Sequence, residues 1–213
     1  MTTEKSFIDS KIYPIIFIII LTAFFTGMLA FFYHSTKERV QLYSEQKFQE
    51  SILYLFEIPV VDSNQTQAIF NNHIKTLIQS SDKDSIKYYQ ASKDEQVLGY
   101  AFVIHGNGLW GSIEAIIAFS ADLNTLLNFY IIQQNETPGL GARITENWFL
   151  KQFSGIPLFV DGQVKDIRLI DENEQSNSVY DVRRVTGATS STKAVVNMIL
   201  EESKKIKETI RID

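Results

Sequence analysis

At 213 residues the chain has room for one globular domain and an appendage, and its net charge of -5, with no basic patch, argues against a nucleic-acid surface. It contains no cysteine, which rules out disulfides, cysteine-held iron–sulfur clusters and cysteine-ligated zinc. The histidines, His34, His73 and His105, stand far apart without a partner at metal-ligand spacing, so no metal site is expected.

Taken in chain order, the first element is a membrane span. From Ile12 to Thr36 there is no Lys, Arg, Asp or Glu, and Pro14 to Tyr33 is almost wholly apolar. Twenty helical residues reach roughly 30 Å, the thickness of the hydrocarbon layer. Pro14 suits a first helical turn, and Tyr13 and Tyr33 bracket the run as interfacial aromatics do. The run is longer than a signal-peptide core and no small-x-small cleavage site follows, so residues 12–36 are read as an uncleaved single-pass anchor in contact with lipid. Lys5 and Lys11 precede it while Lys37, Arg39 and Lys47 follow, so charge does not decide its orientation.

Two helices are expected next. Val40, Tyr43, Phe48, Ile52 and Leu55 recur near helical spacing over 37–57, and Ile58-Pro59 ends that run. A second helix is expected over 66–79, with Ile69, Phe70, Ile74, Leu77 and Ile78 on one stripe. Residues 37–80 are therefore assigned to a helical stalk and packing helices, and 81–213 to the main domain.

Strand character begins in the segment 85–134. Val97–His105 and Leu109–Phe119 are rich in Val, Ile, Phe and Tyr around Gly106-Asn107-Gly108, a hairpin pattern, and Phe129–Ile132 gives a third strand. A loop over 135–143 leads to a short helix with Trp148, Phe149 and Phe153 as its apolar face. Another strand is expected at Val164–Ile170, then an exposed polar loop over 171–178, and a last helix over about 190–209 that buries Val195, Met198, Ile199 and Ile206. The fold class is α+β, with an antiparallel-rich sheet.

Three segments carry chemistry. Val185-Thr186-Gly187-Ala188-Thr189-Ser190-Ser191-Thr192 crowds five hydroxyls around one glycine and one alanine where the last helix opens. Helix starts offer unpaired N–H groups and a partial positive charge, which stabilise a phosphate. Glu136-Thr137-Pro138-Gly139-Leu140-Gly141-Ala142-Arg143 gathers an acid, a hydroxyl and a cation around two glycines, and Gly106-Asn107-Gly108-Leu109-Trp110-Gly111 is a third glycine-rich run. Six of the ten glycines fall in these places, where a ligand could need access to the backbone. Each segment also has a plain structural reading: a helix cap, a β-turn and a hairpin turn.

In that order and spacing the three segments resemble the RnfG/NqrC family, the FMN-binding subunits of ion-translocating membrane redox complexes. Thr186-Gly187-Ala188-Thr189 is similar to its [Ser/Thr]-Gly-Ala-Thr attachment motif, Glu136–Gly141 to its Glu-Thr-Pro-Gly-Leu-Gly loop, and Gly106–Gly111 to its glycine-rich Gly-Leu-Trp segment. The family pattern places an aspartate three residues before the first threonine; here Arg183 stands there, with Asp181 two residues earlier.

The resemblance implies a covalent FMN joined to Thr189 by a phosphoester. Thr186, Gly187, Ala188, Ser190 and Ser191 would hold its phosphate and ribityl chain, and Glu136, Thr137, Gly139, Leu140, Leu109 and Trp110 would frame its ring. It further implies an electron-relay subunit that is not catalytic alone, working with other subunits of a membrane complex and matured by an FMN transferase that uses FAD. The soluble domain would lie outside the cytoplasmic (inner) membrane and residues 1–11 within the cytoplasm, the shorter length favouring the RnfG-like branch. Two other readings stand beside it: a membrane-anchored extracytoplasmic sensor or binding domain without cofactor, and a phosphate-handling enzyme. The latter lacks both a Gly-x-x-x-x-Gly-Lys-[Ser/Thr] loop and an acidic metal cluster.

Overall fold

The runs around 97–105 and 112–120 are apolar at nearly every position, because both faces of the sheet they build are covered. The computed structural model of the chain describes residues 12–80 and 85–210. These fall into two compact units that divide between Gln46 and Lys47.

The first unit is helical. Helix α1 spans Ile12–Leu55 and covers both the expected membrane span and the expected helix that follows it. Residues 12–45 are exposed, and by length and composition α1 can cross a membrane. Within its apolar stretch the hydroxyls of Thr22 and Thr36 donate to the carbonyls of Ile18 and Phe32, both at 2.8 Å, so neither polar group is left unpaired where water is absent.

The second unit begins with the end of α1, continues through α2 (Thr66–His73), and is organised by a six-stranded antiparallel sheet in chain order: β1 (Ile74–Ser80), β2 (Ser85–Lys93), β3 (Gln96–Asn107), β4 (Ser112–Ser120), β5 (Thr125–Gln133) and β6 (Ile156–Pro157). Alternate side chains go to opposite faces. Ala101, Ile116 and Ala118 meet Ile52, Leu53, Leu55 and Phe70 from α1 and α2. Phe102, Ile104, Ala115, Ile117 and Phe119 meet Val195, Met198 and Ile199 of α4 (Thr189–Thr209), together with Phe149 of α3 (Asn147–Leu150) and Phe153 just after it.

Three expectations are corrected. The helix expected over 66–79 stops at His73, because residues 74–80 take the hydrogen bonds of β2, in register from Ile74↔Ala91 to Ser80↔Ser85. The spacing of Ile74, Leu77 and Ile78 fits a helix stripe, but it did not reveal that edge. The boundary drawn between a helical stalk (37–80) and the main domain (81–213) therefore passes through one sheet. The strand expected over 164–170 is two pieces: β8 (Gln163–Val164) pairs with β7 (Phe159–Val160), and β9 (Arg168–Ile170) pairs in parallel with β10 (Asp181–Arg183). Finally, β4 opens at Ser112, so Leu109 and Trp110 sit in the hairpin loop, which closes with the Gly108 N–H on the Gly111 carbonyl at 2.7 Å. Antiparallel order then puts the β3–β4 loop and the segment leaving β5 at one end of the sheet.

Candidate cofactor site

At that end the three glycine-rich segments meet around a cleft of about 330 Å³, within the range of small-molecule sites, about 300–1,000 Å³. Leu109, Trp110, Glu136, Thr137, Leu140, Gly187, Ala188, Thr189, Ser190 and Ser191 line it, with Gly141. Thus every expected site residue lines the cleft except Thr186 and Gly139. Gly139 supplies a turn, and Thr186 faces Glu172 instead.

The start of α4 is open. Ala188 is its cap residue and makes no side-chain bond, so the threonine and serine cluster does not act as a side-chain N-cap. The first bond runs from the Thr192 N–H to the Ala188 carbonyl at 2.9 Å, which leaves the N–H groups of residues 189–191 outside the helical ladder. Gly187 turns the chain into this position at φ +78°, a conformation that a side chain would strain. Thr189 and Ser190 are exposed, and their hydroxyls make no hydrogen bond among the described residues. Beneath them the fully buried Thr192 Oγ1 donates to the Ala188 carbonyl at 2.9 Å and accepts the Val185 N–H at 3.2 Å, fixing the turn from below.

Glu136 ties the three segments together. Only 5% exposed, it accepts the Trp110 N–H on Oε1 at 3.0 Å and the Ser191 hydroxyl on Oε2. Ser191, expected to face the ligand, thus has its hydroxyl committed to Glu136. Two glycines make room for this carboxylate. A Cβ at Gly108 would stand 2.3 Å from Glu136 Oε1, and one at Gly141 would stand 2.6 Å from Oε2. Their smallness answers a side chain of the protein rather than a ligand, which corrects the expectation that both were spent on ligand access.

A second brace lies behind the attachment motif. Arg143, the cation of the Glu136–Arg143 loop, is bonded to Glu146 (3.1 Å) and Glu172 (3.1 Å), and it approaches the Thr186 carbonyl at 3.5 Å. Glu172 accepts the Thr186 N–H at 2.6 Å. Hydrogen bonds from the Thr186 side chain and N–H, followed by that from Arg143, lower the Glu172 pKa from 4.5 to about 2. Composition had placed Glu172 in an exposed polar loop, and its role was missed; an acid fourteen residues before Thr186 carries no local signal. Neither Asp181 nor Arg183 lines the cleft. Asp181 binds Arg168 at 2.7 Å and the N–H groups of Asn177 and Ser178, while Arg183 bonds Gln152 and lies over Trp148. Leu109 and Trp110 are 57% and 72% exposed, an apolar rim beside the cleft.

Comparison with known proteins agrees with this geometry. A family model described as "FMN-binding domain" matches residues 108–201, an interval that contains two of the three segments whole and Gly108–Gly111 of the other. The G subunit of the proton-translocating ferredoxin:NAD(+) oxidoreductase complex of Clostridium ljungdahlii is 26% identical over 159 residues, covering 72% of this chain and 80% of that one. The C subunit of the Na(+)-translocating NADH-quinone reductase of Vibrio anguillarum is 30% identical over 107 residues, 50% of this chain and 42% of its own length. The chain thus matches less than half of that Vibrio relative. Among solved structures, NqrC of Shewanella oneidensis shares the fold at a TM-score of 0.65 and 20% identity, covering 72% of this chain and 89% of that one. The C subunit of the Na(+)-translocating NADH-quinone reductase from Parabacteroides distasonis does so at 0.66 and 24%, covering 79% and 94%. Through an FMN-binding domain matched over residues 108–201, the chain is similar to the RnfG and NqrC subunits of these complexes.

Proposed function

We propose that this chain is a membrane-anchored electron-transfer subunit of an ion-translocating redox complex, and that it carries FMN joined to Thr189 by a phosphoester. One observation carries the reading. Thr189 presents an exposed, unpartnered hydroxyl at an uncapped helix start, inside the cleft where the three family-like segments converge. The residues suit the group. Free N–H groups at a helix start favour a phosphate, Ser190 offers a second free hydroxyl, and Leu109, Trp110 and Leu140 give a flat ring an apolar rim.

Bound flavin supplies the redox chemistry, exchanging one or two electrons, and the protein supplies attachment, orientation and field. The helix start holds the phosphate, the Thr192 and Glu172 contacts keep the motif turn in shape, and Glu136 keeps the two neighbouring loops against it. A covalent tether keeps the cofactor at high effective concentration beside its pocket, where an unattached one would be lost outside the cytoplasm. With no cysteine in the chain, electron donor and acceptor belong to partner subunits. In this reading residues 1–11 are cytoplasmic, 12–36 span the inner membrane, and the soluble domain is extracytoplasmic. Attachment is made by an FMN transferase that moves FMN from FAD to the threonine and releases AMP.

The test is flavin fluorescence after denaturing electrophoresis of the full chain, purified from a host that has the transferase. Wild type and Ser190→Ala are expected to fluoresce and Thr189→Ala to be dark. A dark wild type would favour a cofactor-free sensor domain.

A further inference from the structure

Of the residues lining the cleft, Glu136 alone carries an ionisable side chain; the others are Leu, Trp, Thr, Ser, Gly and Ala. Its carboxylate is buried, accepts from two donors, and has no cation within ion-pair distance among the described residues. Arg143, on the neighbouring loop, is already committed to Glu146 and Glu172. The fold keeps Gly108 and Gly141 so that this acid can sit there. As a mere tie between loops, a glutamine would serve, since its carbonyl could accept the Trp110 N–H and its amide could donate to Ser191. What a glutamine lacks is the charge.

We propose that Glu136 is a field-setting residue, whose buried negative charge lowers the midpoint potential of the flavin held in this cleft. The inference rests on the reading that FMN occupies the cleft. Reduction adds two electrons to the flavin, with uptake of one proton or two, and the one-proton product carries an extra negative charge on the ring. A fixed, buried carboxylate beside the cleft opposes each added negative charge, because buried charges are weakly screened. A flavin poised low passes its electrons on readily to the next carrier, which suits a relay between partner subunits.

The experiment is a spectroelectrochemical titration of the flavin-loaded full chain in detergent, with dithionite as reductant and wild type, Glu136→Gln and Ser191→Ala compared. Glu136→Gln is expected to shift the reduced-to-oxidised ratio at fixed potential about tenfold toward reduced, a rise of about 30 mV for the two-electron couple. Ser191→Ala, which loosens the tie and keeps the charge, is expected not to raise the potential. The proposal is overturned if Glu136→Gln loads flavin and melts like wild type yet keeps the wild-type potential. It is equally overturned if Ser191→Ala raises the potential as much. Should Glu136→Gln fail to load, Leu140→Lys places a cation on the same cleft with Glu136 intact; it is expected to raise the potential, and no rise overturns the proposal. A wild type without flavin defeats the functional reading itself, whereas a loaded wild type with an unmoved variant defeats only this inference.

Discussion

Replacing Gly108 by alanine tests the account of why this end of the sheet is built from glycine. Gly108 is not among the positive-φ glycines, so backbone conformation does not forbid a side chain there. The obstacle is Glu136, whose Oε1 would lie 2.3 Å from the new Cβ where ordinary contact begins at 3.4 Å. The carboxylate must retreat by about 1 Å, which breaks the 3.0 Å bond from the Trp110 N–H. Loss of a hydrogen bond to a charged group costs about 1.5–3 kcal/mol. For a domain of this size each kcal/mol lowers Tm by about 2–4 °C, so Gly108→Ala is expected to melt about 3–12 °C below wild type. Thermal unfolding of the full chain in detergent, followed by near-ultraviolet circular dichroism, gives the value. Glu136→Ala destabilises by itself, but with the carboxylate gone the added methyl keeps only the milder approach to the Gly111 carbonyl oxygen at 3.1 Å. The double variant should therefore be more stable than the sum of the singles by about 1–2 kcal/mol. A neutral Gly108→Ala, or strictly additive effects, would refute the reasoning.

Three further outcomes follow from the same geometry. Glu172 has its folded-state pKa lowered from 4.5 to about 2, so the stability it contributes is fully present above 4.5 and is lost as pH falls from there through about 2. The gap in urea midpoint between wild type and Glu172→Gln is accordingly expected to be constant from pH 7 to 5 and to close by pH 2; a gap that widens on acidification contradicts the assignment. Thr192→Val leaves the buried Val185 N–H without its acceptor, an expected loss of about 1–3 kcal/mol in denaturant unfolding, and an unchanged midpoint would show that Thr192 does not support the motif turn. Deleting residues 12–36 is expected to move the chain from the membrane fraction to the soluble fraction in carbonate extraction, while retention on the membrane would remove α1 as the anchor.

Much of this arrangement can be read from local pattern. The hairpin of β3 and β4 and the anchor show as apolar runs, and the last helix as a repeating stripe, each within its own residues, so short windows reveal them. The same holds for the site's three segments, whose glycines and hydroxyls are concentrated in sequence. What escapes is set by distance along the chain. Ile74 and Ile78 fit a helix until β2 offers its edge, and Glu136 meets Ser191 across 55 residues, a pairing invisible to any window. Arg143 shows the same limit. Its place in a glycine loop suggests a ligand contact, whereas Glu172, from another part of the chain, takes it as a brace. The glycines at 108 and 141 were legible as glycines, but the reason for them, room for one carboxylate, needed the folded contacts.

The most direct measurement is the intact mass of the denatured, natively matured chain, with peptide mapping across residues 186–192. The account predicts an increment of one FMN less one water, found on Thr189 and absent from Thr189→Ala. An unmodified peptide from a host shown to flavinylate other chains, or an increment that stays when residue 189 is alanine, would contradict it.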